Sequence, residues 1–200
     1  MLQEFLQIHP KKHLIFDFDE TLFTLFLPWE VYFKEIAHKL FELDPSLKTF
    51  LHGKSLNDVE NEAVRRHGEV AVKLRREYAA FFEKEYLRGV EEHHALTDFI
   101  RQASSEKSAD GAPKYHLYLW TTNMLSTVEP VLIKAGLREH FTTLVTKSDI
   151  ELTKPEPEGF YQIFNSQTQK KEDYLMIGDS SNDAGAAKNA GIEFFQVNHA

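Results

Sequence analysis

The period of the hydrophobic pattern changes along the chain. His13 to Phe18 (HLIFDF) is apolar up to its first aspartate, which predicts a short buried strand. From Phe23 to about Phe99 the apolar positions recur mainly at helical spacing. Trp29 to Leu43 carries Val31, Phe33, Ile36, Leu40 and Phe41, and Asp44-Pro45 stops it. Leu47 to Leu51 is a short apolar piece ended by Gly53. Asn57 to Leu87 is rich in Glu, Lys, Arg and Ala, with Val59, Val64, Val70, Leu74, Tyr78, Phe81 and Phe82 marking buried faces. Gly68 divides that stretch into two helices.

A polar segment with Gly111 and Pro113, from Ala103 to Lys114, reads as a loop. Beyond it strands and helices alternate. Strands are expected at Tyr115 to Thr121, Phe141 to Thr146, Tyr174 to Ile177 and Glu193 to Val197. Helices are expected at Thr127 to Ala135, Glu158 to Asn165 and Asn182 to Ala190, the last closed by Gly191. Such alternation predicts a parallel α/β sheet with helices on both faces. The helical stretch interrupts it just after the first strand, so it is expected to be an inserted lobe. The boundaries are 1–22 and 95–200 for the α/β core and 23–94 for the insertion.

Composition narrows the picture. Two hundred residues suffice for one sizeable core and a small second lobe, and 42% hydrophobic residues suit a globular chain. A formal net charge of −8 disfavours nucleic acid or an anionic membrane as partner. The absence of cysteine removes disulfides, thiolate nucleophiles and Cys-ligated metals, and fits a reducing compartment. Residues 1–12 make a poor signal peptide, and no segment approaches the roughly 18 consecutive apolar residues of a membrane span. The expected location is cytoplasmic. The ten histidines show no metal-ligand spacing.

Four short segments lie at or just after predicted strand ends, where open α/β sheets bind ligands. In Asp17-Phe18-Asp19-Glu20-Thr21-Leu22, two carboxylates two residues apart can project to one side of an extended chain. Their mutual repulsion would be relieved by a hard cation such as Mg²⁺. In Thr121-Thr122-Asn123, a hydroxyl and an amide can hold phosphate oxygens, although the same residues also suit a strand end and a turn. Lys154-Pro155 offers a point positive charge, although taken alone it reads more readily as a surface lysine in a Pro-rich turn. Gly178-Asp179-Ser180-Ser181-Asn182-Asp183 delivers carboxylates to a helix start, where Ser181 or Asn182 would serve as N-cap.

The ordered set D-x-D-x-T, Thr-Asn, Lys-Pro and G-D-x-x-x-D resembles the four motifs of the haloacid dehalogenase superfamily, in its phosphoglycolate phosphatase and β-phosphoglucomutase-like branch. That resemblance implies a Rossmann-like core with an α-helical cap. It implies Asp17 as the nucleophile and Asp19 as the acid/base. Thr122, with Asn123 beside it, would hold the phosphoryl group, Thr121 being the rival in register. Lys154 would neutralise the phosphate. Mg²⁺ would be held by Asp17, Asp179 and the backbone carbonyl of Asp19, with Asp183 acting through water or orienting Lys154. Three features depart from the pattern. Glu20 stands where glycine is usual, the return from the insertion reads Gly89-Val90-Glu91-Glu92-His93-His94, and the loop at Ala103 to Lys114 is long.

The resemblance also implies that one cap loop enters the site. The candidate is His52-Gly53-Lys54-Ser55, with Lys54 meeting an anionic substrate or, on the plainer reading, Ser55 capping a helix. Arg65-Arg66 and Arg75-Arg76 read as solvated helix faces, and His93-His94 as surface residues at the hinge. Phe23, Phe26, Leu27 and Trp29 read as hinge packing or an apolar entrance. The expected function is a Mg²⁺-dependent phosphatase acting on a small phosphomonoester, as a monomer or weak homodimer. A phosphomutase, a non-catalytic binding module and a phosphoprotein phosphatase are the alternatives, the last disfavoured by the sizeable cap.

Overall fold

A computed structural model describes residues 2–198. The chain runs α1 (Leu2–Ile8), β1 (His13–Phe16), β2 (Phe23–Leu25), α2 (Trp29–Leu43), α3 (Leu47–Phe50), α4 (Leu56–His67), α5 (Glu69–Tyr86) and β3 (Val90–Glu92). It continues through α6 (His94–Ala103), β4 (His116–Trp120), α7 (Leu125–Lys134), β5 (Thr143–Val145), α8 (Glu158–Ile163), β6 (Tyr174–Gly178), α9 (Ser181–Ala190) and β7 (Glu193–Gln196).

β1 is continuously buried, the signature of a strand covered on both faces by a parallel sheet's helices. It is the middle of a five-stranded sheet of order β5-β4-β1-β6-β7, in which each adjacent pair is parallel. Successive residues alternate between the two faces. Leu14 and Phe16 join the cluster containing Leu119, Ile177, Phe99 and the apolar residues of the insertion. Ile15 joins Trp120, Met176, Phe160 and Ala186 on the other face. The parallel α/β core with helices on both faces is therefore the observed architecture. No helix among the described residues is long and apolar enough to cross a membrane.

Close packing on the second face leaves no room at Gly159, in the first turn of α8. A Cβ there would lie 2.1 Å from Trp120 Nε1. Gly159→Ala is expected to displace the indole and cost about 1–3 kcal/mol. An unchanged denaturant midpoint would contradict this packing.

The helical pattern does not begin at Phe23 as the sequence suggested. Phe23–Leu25 pairs antiparallel with Val90–Glu92, in the register Phe23↔Glu92, Thr24↔Glu91 and Leu25↔Val90. This two-stranded ribbon carries the helices α2 to α5 at its far end. Three-residue strands are too short to show a period of two, so only the pairing reveals them. Gly68 does separate α4 from α5, at a positive φ of 53° that favours glycine.

The buried stripe of α5 runs through Ala71, Val72, Arg75, Tyr78, Ala79, Phe82 and Glu83. Val70 and Phe81, expected to be buried, lie off that stripe and are exposed. Arg75, expected to face solvent, is fully buried. Its Nη2 donates to the carbonyl of Ile150 at 3.3 Å, while Arg76 donates to the carbonyls of Lys147 and Ile150 at 3.1 and 3.0 Å. Arg65 and Arg66 do lie at the surface, in ion pairs with Glu156, Glu62 and Asp44. The helical face that looked solvated is thus the seam between the insertion and the loop that follows β5.

Candidate active site

Parallel register brings the motifs together. Phe16 stands opposite Leu119 and Ile177, so the chains leaving β1, β4 and β6 emerge side by side at one sheet edge. Asp17 follows β1 directly and its amide donates to the Ile177 carbonyl at 2.9 Å. The chain then turns sharply, with the amides of Leu22 and Phe23 donating to the carbonyl of Phe18. Glu20 sits in this turn at φ 55°, the left-handed region where glycine fits without strain. A glutamate held there costs on the order of 1 kcal/mol or more. The turn buries Thr21, whose hydroxyl donates to Asp179 Oδ1 at 3.2 Å. It also sets Asp19 against the ribbon, where the Leu25 amide donates to Asp19 Oδ1 at 2.8 Å.

Lys154 is 2% exposed and reaches the same edge from the loop after β5. Its ammonium donates to Asp17 Oδ1 at 2.6 Å, to the Trp120 carbonyl at 3.0 Å and to Asp183 Oδ1. The insertion holds this loop. Asn61 of α4, fully buried, donates to the Thr153 carbonyl at 2.7 Å and accepts from the Thr153 amide at 2.9 Å. Asn57 donates to the Lys154 carbonyl at 3.0 Å. Asp183 is placed by the start of α9, whose N-cap is Ser180 rather than Ser181 or Asn182. Ser180 and Asp183 form a reciprocal capping box, which fixes one carboxylate oxygen and leaves the other for Lys154.

The charges here are unbalanced. Carboxylate oxygens of Asp17, Asp179 and Asp183 all lie within 4.8 Å of one another, against one ammonium. Burial, then the Asp183 charge, push Asp17 up to about 8, with Lys154 pulling the other way. Burial and Asp183 likewise raise Asp179. Burial works against the charge on Lys154, but Asp17 and Asp183 outweigh it and hold its pKa above the usual lysine range. Asp19 is raised to about 7, chiefly by burial. A concave set of hard oxygen donors with surplus negative charge fits a divalent cation such as Mg²⁺. The Asp19 carboxylate is not one of the three clustered groups.

A cleft of about 250 Å³ opens over Asp17, Asp19 and Asp179. Thr122 and Asn123 line it. Thr121 turns inward instead, donating to Asn123 Oδ1 at 2.9 Å and accepting from the Asn123 amide. Lys54 does not line the cleft; it is exposed, with its Nζ 6.0 Å from the Phe50 ring centroid. The contribution from that end of the insertion is Asn57, while Ser55 caps α4. Trp29 lines the cleft, whereas Phe23 and Leu27 are buried in the hinge and Phe26 is exposed. His93 takes part in the hinge through a 2.9 Å hydrogen bond with Thr24, and His94 is exposed.

Sequence reasoning missed the insertion's own polar groups. Glu83 of α5 is 2% exposed, lines the cleft and accepts from the Met124 amide at 3.1 and 3.2 Å. From the core, in the loop after β5, Lys147 (the rival to Lys154 should the third motif lie there instead) lines the cleft too, bonded to Tyr32 Oη at 3.1 Å and paired with Glu60 at 3.4 Å. The available signal was a charged residue in phase with a buried helical stripe, as at Arg75 and Glu83.

A family model described as haloacid dehalogenase-like hydrolase matches residues 14–197. Pyrophosphatase PpaX of Halalkalibacterium halodurans is 36% identical over 86 residues, which cover 43% of this chain and 40% of that protein. A phosphoglycolate phosphatase of Yersinia pestis is 28% identical over 129 residues, 64% of this chain and 53% of that one. The matches thus span about half the length of these curated relatives. Among solved structures, a mutant form of CbbY of Rhodobacter sphaeroides, in complex with xylulose-(1,5)bisphosphate, superposes with a TM-score of 0.57 at 18% identity, over 92% of this chain and 84% of that one. A haloacid dehalogenase-superfamily hydrolase of Geobacter sulfurreducens gives 0.53 at 20% identity, over 92% and 85%. With the family model spanning nearly the whole α/β core and all four motifs, the chain belongs to the haloacid dehalogenase-like hydrolase family.

Proposed function

We propose that the protein is a Mg²⁺-dependent phosphatase that hydrolyses a small phosphomonoester through a phosphorylated Asp17. The observation that carries this reading is the Asp17 carboxylate at the mouth of the central strand, with an ammonium 2.6 Å away and two further carboxylates alongside. Asp17 attacks phosphorus, and the ester oxygen departs with a proton from Asp19. A carboxyl group raised to about 7 can carry that proton near neutrality. Asp19 then takes a proton from the water that opens the acyl phosphate, which regenerates Asp17. Thr122, Asn123 and Lys154 hold the phosphoryl oxygens. Asp17, Asp179, Asp183 and the Asp19 carbonyl would hold Mg²⁺, which supplies charge neutralisation at the phosphoryl group. The insertion at 23–94 acts as the lid over the core formed by 1–22 and 95–200, and excludes water.

Phosphate release from p-nitrophenyl phosphate, phosphoglycolate and pyrophosphate, measured with Mg²⁺ and with a chelator, tests this reading. Release that requires Mg²⁺ is expected from at least one of the two monoesters, and Mg²⁺ is expected to raise the melting temperature by relieving the carboxylate repulsion. Release undiminished by the chelator, or no release from well-folded protein, would overturn it.

A further inference from the structure

The insertion grips, through their main chain, both loops that carry the phosphoryl-holding groups. The loop after β4 carries Thr122 and Asn123. There the amide of Thr121 donates to the Val145 carbonyl, that of Asn123 to the Thr121 hydroxyl and that of Leu125 to Ser148 Oγ. These acceptors belong to the core. The amide of Met124 donates instead to Glu83, on α5 of the insertion, at 3.1 and 3.2 Å. Met124 is the N-cap of α7, and its own side chain gives no capping bond. Glu83 thus fills, from another element, the place that a capping-box glutamate takes within its own helix, and its charge suits a helix N-terminus.

The loop after β5 carries Lys154, and Asn61 of α4 grips it one residue earlier. Asn61 donates to the Thr153 carbonyl at 2.7 Å and accepts from the Thr153 amide and hydroxyl at 2.9 and 3.2 Å. Asn61, Thr153 and Glu83 are all buried. Polar groups placed so deep cost free energy unless they are paired. Apolar residues at the same points of the buried stripes of α4 and α5 would hold insertion and core together as well. What the paired polar groups add is register, because each bond fixes main chain within two residues of a phosphoryl-holding group.

We infer that Asn61 and Glu83 are positioning residues for phosphoryl transfer, through which the insertion sets Lys154 and the Thr122–Asn123 pair around the phosphoryl group. This rests on the phosphatase reading for what the two loops do, and on the hydrogen bonds alone for what holds them. The insertion is then part of the phosphoryl site and not only its cover. Displacing either loop by about 1 Å is expected to cost catalysis about 100-fold, although neither Asn61 nor Glu83 takes part in bond making.

The test uses Glu83→Ala and Asn61→Ser, which leave space that water fills, so the main-chain groups stay satisfied but are no longer placed. Each is expected to lower kcat/KM by about 100-fold, and by the same factor for p-nitrophenyl phosphate and glycerol 3-phosphate, because the phosphoryl end is common to both. Inorganic phosphate, titrated calorimetrically into the Mg²⁺-loaded protein, is expected to bind each variant about tenfold more weakly. Glu83→Gln keeps an acceptor for the Met124 amide and is expected to recover most of the loss. Leu40→Val is the control for stability. Leu40 is fully buried about three turns along α2 from Trp29, so its truncation lowers the melting temperature and leaves turnover and phosphate binding unchanged. A parent that releases no phosphate yet binds it, and binds it more weakly in both variants, supports the inference and fells the phosphatase reading alone. Variants that match the parent in turnover and in phosphate binding would overturn the inference and leave that reading standing. Losses that track the melting temperature, Leu40→Val included, or that Glu83→Gln does not recover, would overturn it too. A parent that neither releases nor binds phosphate would overturn both.

Discussion

Replacing Asp17 by asparagine is expected to lower kcat by about 10⁴-fold or more while leaving the fold intact. Asparagine keeps the shape of the side chain and an oxygen for the Lys154 ammonium, which now sits 2.6 Å from Asp17 Oδ1. It cannot attack phosphorus to give an acyl phosphate, and loss of a covalent nucleophile disables the whole sequence of steps. Stability is expected to hold for a separate reason. The folded protein penalises the Asp17 charge through burial and through Asp183, which raise its pKa to about 8. A carboxyl with a raised folded pKa binds more protons folded than unfolded, so its contribution falls as pH climbs from about 4 to 8. Asparagine carries no such penalty. The metal-free variant is therefore expected to melt no lower than the parent at pH 8, and to gain less from Mg²⁺. Phosphate release above about 1% of the parent rate would refute the nucleophile assignment. A collapsed melting temperature would show that the Asp17–Lys154 pair holds the fold rather than the chemistry.

The α/β core was legible because its central strands are apolar runs followed by a chemically distinctive residue. His13 to Phe16 ends at Asp17, and Tyr174 to Gly178 ends at Asp179. Once parallel pairing is assumed, such endings must meet at one edge. The reading failed where structure depends on partners rather than period. The ribbon of Phe23–Leu25 and Val90–Glu92 has three residues a side and no pattern of its own. Arg75 and Glu83 are charged, and helical periodicity was taken to sort charge to the outside, so their place in phase with the apolar stripe of α5 was passed over. Lys54 drew attention as a cation in a loop between helices, yet Asn57, an uncharged residue three places on, lines the cleft. Asn61 gave no signal either, since an asparagine that pairs with a backbone looks like any surface asparagine. The Glu20 turn was half legible: its departure from glycine was visible, and the positive φ supplies the reason that glycine is favoured there.

Lys154→Met carries the other large expectation, a fall in kcat of about 10³-fold together with a loss of stability. The thioether side chain fills nearly the same volume, so packing against Trp120 changes little. The ammonium, however, holds two carboxylates and a carbonyl in a space where Lys154 is 2% exposed. Removing one partner of a buried charge cluster costs at most about 3–5 kcal/mol, and uptake of a proton by Asp17 recovers part of this. Catalysis suffers more, because the transferring phosphoryl group loses a fixed positive charge aimed at it. Lys147→Met is the informative contrast. That lysine is equally buried, but its partners are Tyr32 and Glu60, not Asp17. Its loss is expected to lower the melting temperature with a kcat reduction of less than about tenfold. Added Mg²⁺ should restore stability to Lys154→Met, where it can neutralise the carboxylates of Asp17 and Asp183 left without their ammonium, and not to Lys147→Met, where Glu60 lies behind the cleft wall. Should Lys147→Met abolish turnover while Lys154→Met spares it, the phosphate-neutralising role would belong to Lys147. The contact with Asp17 would then be a structural pair.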